Sequence, residues 1–206
     1  MRLKAEDLED QSKYRQLLVV PYNELADFVL DYIRRKSGLM VMFWSVCLFF
    51  LGIALFIRVH IAGFFGLRRI VMHSVLGLIV FPLLCIPVHE LLHVIPFLIT
   101  GAKKIRIGMD LKQYIFYVTA HRHVVKPGEF RFVALVPFVV ISAALLVMIF
   151  FMPGLWKWSL SLLLFVHATM CAGDFAMLNF YRLNKGKRIL TMDDADDRRA
   201  CFYEEL

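Results

Sequence analysis

Four apolar stretches, at about Leu39–Val59, Ile70–Thr100, Phe132–Met152 and Leu155–Tyr181, are each long enough to cross the ~30 Å hydrocarbon core of a bilayer, which takes ~20 apolar residues per helix. Only helices and closed barrels satisfy their own backbone polar groups in hydrocarbon, so four spanning helices are expected. The 60% hydrophobic content and mean hydropathy of +0.66 agree, because soluble domains use roughly 45–50% apolar residues. The expected fold is mainly α, a polytopic membrane protein organised as a single membrane domain, 1–206. Residues 1–38 form an arm and a surface helix, 39–181 the four-span core, and 182–206 a polar tail.

Basic residues sort by loop. Twenty of the 24 Lys and Arg lie before Leu39, between Gly101 and Arg131, or after Tyr181, and four lie in the two other connections. By the positive-inside rule, both termini and the middle loop are expected on the cytoplasmic side of the cell membrane. Anchoring to anionic headgroups accounts for this charge, and nucleic-acid binding is not expected. The charged first 36 residues lack a compact apolar segment with a cleavage site, so no cleavable signal peptide is expected. Trp156 and Trp158, after Pro153-Gly154, read as belt residues at the outer interface.

Ahead of the first span, Tyr22–Lys36 places Leu25, Phe28, Val29, Tyr32 and Ile33 along one stripe, as in an amphipathic surface helix. The second span carries Pro82, Pro87 and Pro96, each of which frees a carbonyl one turn earlier, so it is expected to bend or break. The Gly101–Phe130 loop is expected to hold short strands near Lys104–Gly108 and Tyr114–Thr119. A strand edge there could hold an extended peptide by β-augmentation.

Within the second span stands His89-Glu90-Leu91-Leu92-His93. Residues four apart lie one above the other on a helix, so His89 and His93 can offer two nitrogens to one metal ion, with Glu90 beside it as a general base. Ionisable side chains at bilayer depth are costly and mark a site by default. A catalytic zinc takes three protein ligands, and Asp174 is the leading candidate for the third, being the only acidic residue between Leu155 and Tyr181. Counted back from the cytoplasmic ends, His93 precedes Thr100 and Asp174 precedes Tyr181 by the same seven residues. Asp110, His121, His123 and Glu129 in the loop remain alternatives. His167 reads as a support or substrate-contact residue, or else a packed polar one; His121 and His123 are further candidates for such contacts. His60 and His73 fall near the opposite face. Cys47, Cys85 and Cys171 lie in apolar spans and Cys201 in the tail, without a C-x-x-C pair, so neither a disulfide framework nor a cysteine zinc site is expected.

On His89-Glu90-Leu91-Leu92-His93, the β-like loop, Ala134–Pro137 and Gly173-Asp174, the chain resembles the zincin-like membrane peptidases of bacteria, which are distantly similar to site-2 intramembrane metalloproteases. The resemblance spans about Ile70 to Tyr181. It implies zinc on His89 and His93, Glu90 as base, an aspartate ligand matching Asp174, and a membrane protein or peptide as substrate. Site-2 proteases set a glycine after their aspartate, whereas here Gly173 precedes it. Two other classes compete with a peptidase: a catalytically silent scaffold or chaperone, and a metal transporter or sensor.

Overall fold

The computed structural model describes residues 3–110 and 115–206. Tyr114, where the second loop strand was expected to begin, lies outside them. Four of its helical segments are long and apolar enough to cross a membrane: Gly38–His60, Leu67–Ile99, Pro127–Phe151 and Gly154–Leu183. Their outer surfaces suit hydrocarbon rather than water, with Phe56 and Phe150 71% and 77% exposed.

The chain opens with strand β1 (Tyr14–Pro21) and helix α1 (Leu25–Arg34), then enters α2 (Gly38–His60), whose start is capped by the Ser37 hydroxyl accepting from Met40 N–H. The second long apolar segment comprises α3 (Leu67–Val75), a π-turn at Leu76–Val80, and α4 (Phe81–Ile99). Pro82 has no N–H for the carbonyl four residues back, and the wider turn falls where the α-ladder would lose that bond. The expected break does not occur, and α4 runs on through Pro87 and Pro96. Gly77 in the π-turn meets the last long apolar segment so closely that a Cβ there would collide with the Ser159 carbonyl oxygen. Gly101, at φ +80°, ends α4 in the left-handed conformation that glycine adopts freely.

Strands β2 (Ile105–Asp110) and β3 (Ile115–Ala120) pair antiparallel, and β4 (Val124–Val125) precedes α5 (Pro127–Phe151). The last long apolar segment is interrupted: α6 (Gly154–Met170) and α7 (Ala172–Leu183) meet at Cys171, whose φ/ψ of −71°/4° departs from helical values. The sequence stretch read as one span is therefore two helices end to end. One packed core joins α2, α5, α6 and α7 through Phe43, Cys47, Ile141, Leu145, Leu164, Cys171 and Phe175.

Both chain ends depart from the expected arm and polar tail. β5 (Arg188–Asp194) and β6 (Arg199–Glu205) form a hairpin, and β1 adds to β6 to give a four-stranded antiparallel sheet in the order β1-β6-β5-β4. Ile189 and Phe202 are buried on one face against Phe180, and Leu190 on the other against Ala5 and Leu8, which repays the ordering of these polar segments. The amphipathic helix α1 docks by Phe28 and Tyr32 on Phe180 of α7, and Asn179 Nδ2 donates to the carbonyls of Tyr32 and Arg35 at its end. The two segments and the middle loop thus share one face of the bundle. Trp156 is half-exposed, but Trp158 is buried and donates to Ser74 Oγ at 2.9 Å, so it joins α6 to α3 and is no belt residue.

Candidate metal centre

Helical spacing brings the two imidazoles of α4 together, with ring centroids 5.0 Å apart and only 7% and 8% exposure for His89 and His93. Across from them, in the first turn of α7 where the helix dipole favours a carboxylate, stands Asp174. His89 Nε2 lies 3.3 Å from one of its oxygens and His93 Nε2 3.5 Å from the other. The break at Cys171 starts α7 one turn before Asp174 and so sets this approach.

Each imidazole has a second partner behind it. His93 Nδ1 sits 3.0 Å from the Val133 carbonyl on α5, and a carbonyl only accepts, so Nδ1 carries the proton and Nε2 turns its lone pair toward Asp174. That carbonyl is available for a covalent reason: its normal helical donor would be the N–H of residue 137, which is Pro137. His89 Nδ1 lies 3.3 Å from Nε2 of the fully buried His167. His167 therefore reaches the far side of His89 and not the face that Asp174 shares.

A Glu90 carboxylate oxygen lies within 4.8 Å of one ring nitrogen of His89 and one of His93, with the Val118 backbone N–H on β3 beside the carboxylate. The edge of the β2–β3 hairpin away from β2 thus runs past the site.

Residues 82–186, about half of the chain, match the model of the family described as "Putative zincin peptidase". The chain belongs to that family. The zincin match begins at the second residue of α4 and ends just past α7, so it takes in His89, Glu90, His93, His167 and Asp174 and leaves out β1, α1, α2 and the β5–β6 hairpin. No curated protein and no solved structure matches the chain.

A zincin implies zinc, and the donor set fits one. Tetrahedral ligands at the ~2.0–2.1 Å typical of zinc stand ~3.3–3.4 Å from each other. The two imidazole-to-carboxylate separations of 3.3 and 3.5 Å are close to that edge length. One carboxylate and two imidazoles, of which His93 has its lone pair oriented by the Val133 carbonyl, are also a usual zinc set.

The other sequence candidates lie elsewhere. His121 is held in the sheet region, its Nδ1 accepting from Ala195 N–H at 3.2 Å and its Nε2 3.4 Å from Asp196. His123 Nε2 lies 3.5 Å from Thr100 Oγ1, at the end of α4. Glu129 accepts from the Lys126 N–H at 2.9 Å and caps α5. The side chain of Asp110 is outside the described part of the chain. His73 packs against Ser159, Nδ1 to Oγ 2.7 Å, and His60 ends α2. Sequence reasoning missed Val133, Val118 and Cys171. Cys171 alone had a signal, its place four residues after His167.

Proposed function

We propose that this zincin-family protein is a zinc-dependent, membrane-embedded peptidase that hydrolyses a peptide bond in or near the bilayer of the cell membrane, with both termini cytoplasmic. The observation that carries the reading is the convergence of His89, His93 and Asp174 at metal-ligand spacing with the Glu90 carboxylate beside them. His89 Nε2, His93 Nε2 and the Asp174 carboxylate would hold the ion. Bound there, zinc supplies a Lewis acid for the scissile carbonyl and brings the pKa of a water toward ~7.

The remaining work belongs to the chain. Glu90 takes the proton of the attacking water on its carboxylate and hands it to the leaving amine nitrogen. His93 stays fixed in one tautomer by the Val133 carbonyl, and His89 is braced by His167. The outer edge of β3 offers backbone groups beside Glu90, the arrangement that holds a substrate strand extended for attack. A membrane protein or a peptide delivered at the bilayer surface suits this placement as substrate.

The test is zinc content beside turnover for the wild type and Glu90→Gln on a candidate membrane substrate. Glu90→Gln is expected to keep its zinc and lose ~10²–10⁴-fold in rate, the range for a positioned general base. Parental turnover in that variant would remove the mechanism. Loss of zinc or of accumulation would make Glu90 structural.

A further inference from the structure

Behind His89, away from Asp174, three donor atoms meet at the α6–α7 break. His89 Nδ1 is 3.3 Å from His167 Nε2, and the Cys171 sulfur is 3.9 Å from the first and 3.8 Å from the second. His167 and Cys171 are both wholly inaccessible. The three atoms belong to α4, α6 and the junction residue, so the packing of separate elements brings them together.

We propose that His89 Nδ1, His167 Nε2 and Cys171 Sγ form a second metal site, selective for copper(I), whose occupancy excludes zinc from the neighbouring centre. The exclusion, though not the copper site itself, rests on the zinc reading above.

Geometry supports three-coordination. Donors at bond lengths of ~2.05 Å for nitrogen and ~2.3 Å for sulfur, spread trigonally, stand ~3.5 Å apart N to N and ~3.8 Å apart N to S. The observed triangle of 3.3, 3.8 and 3.9 Å needs only a few tenths of an ångström of adjustment. Two imidazoles and one thiolate in a trigonal set are a ligand combination that copper favours, and thiolate sulfur selects soft ions.

Charge narrows the choice further. The Cys171 thiol now donates to the His167 carbonyl at 3.3 Å. On binding it would release its proton to solvent, leaving one negative charge among two neutral imidazoles. A monovalent ion makes the assembly neutral, whereas a divalent one leaves a net positive charge in a core built from Phe43, Leu164, Ala168 and Phe175. Among the described residues His167 Nδ1 is buried without a hydrogen-bond partner, so the polar contacts of its ring lie on the side of His89 and Cys171.

Exclusion follows from the imidazole itself. A neutral ring has one lone pair and one N–H, so His89 can serve zinc through Nε2 or copper through Nδ1. With copper on Nδ1, the proton of His89 stays on Nε2 and points at Asp174, and the zinc centre is short of a ligand.

The experiment uses the full chain, purified in detergent without oxygen and titrated with copper(I) against a colorimetric copper(I) chelator, with zinc followed by elemental analysis. One copper(I) per chain is expected to bind, with X-ray absorption showing one sulfur and two nitrogen neighbours and about one zinc released per copper taken up. Cys171→Ser and His167→Gln should each weaken copper(I) binding by at least roughly 100-fold, while Cys171→Ser still takes up zinc, which shows that it is folded. His93→Ala should lose zinc and keep copper, and so should fail differently if only the zinc reading is wrong. Replacing Cys47, Cys85 and Cys201 together by Ser should leave copper binding in place. Copper binding that survives Cys171→Ser, or that needs the other three cysteines, overturns the site. Copper and zinc bound together at one each per chain overturns the exclusion.

Discussion

The imidazole of His93 and the carbonyl of Val133 are 3.0 Å apart because Pro137 leaves that carbonyl without a helical donor. A residue in the middle of α5 thereby orients a ligand on α4. Pro137→Ala restores an N–H that competes for the carbonyl, so zinc affinity is expected to fall about tenfold, within the range seen when a ligand's supporting partner is lost. Thermal stability should hold or rise, since an interior helical proline is replaced. Zinc competition with a chelating dye, beside a melting curve, separates the two effects. Unchanged affinity would mean that the bond follows the site's geometry without setting it.

Asp174 and His167 should differ in kind. Asp174→Ala removes a group that touches both imidazoles, and zinc occupancy should drop as far as in His93→Ala. His167→Ala removes only the support behind His89, and about a tenfold weaker affinity is expected. Equal losses in the two variants, measured by elemental analysis over a zinc titration, would make His167 a ligand.

Asp193 gives the sheet a pH dependence. It sits on β5 beside Tyr22, and burial pushes its carboxyl up to about 7. Between its unfolded pKa of ~3.9 and that value the folded chain holds the extra proton, so stability falls as pH rises through this window and levels off above it. Asp193→Asn, which cannot ionise, should therefore be more stable than the parent at pH 8, by up to about 4 kcal/mol. The two should converge near pH 4. Melting curves across that range check the sign.

Gly77 reports on the contact between the π-turn and α6. With the Ser159 carbonyl oxygen closer to its Cβ position than real Cβ atoms allow, Gly77→Ala forces the π-turn and α6 apart and should cost about 1–3 kcal/mol, the usual range for overpacking. Gly52 has nothing within 4 Å of its Cβ position, so Gly52→Ala serves as the neutral comparison. Similar melting temperatures for the two would show that the contact is soft.

The four long apolar segments and the approach of Asp174 to His89 and His93 could be read from the chain because their signals are local or nearly so. Apolar length marks a span, a four-residue step marks a helix face, and equal depth below the polar ends aligned His93 with Asp174. The sheet could not be read this way. Tyr14 pairs opposite Glu205, and Arg15 meets Glu204 at 2.6 Å, so residues that look solvated in sequence are matched only by a partner almost a chain length away. The break at Cys171 was hidden for another reason. Neither Gly nor Pro stands at 170–172 to announce it, and only the packing of α7 against its neighbours reveals it.

The pairing of β1 with β6 also imposes an order of events during synthesis. β1 leaves the ribosome before any of the long apolar helices, yet the strand that it pairs with is made after all of them. Until then the edges of β1 are open to other partners. A stall or cleavage after α7 would leave β1 without the strand that pairs with it.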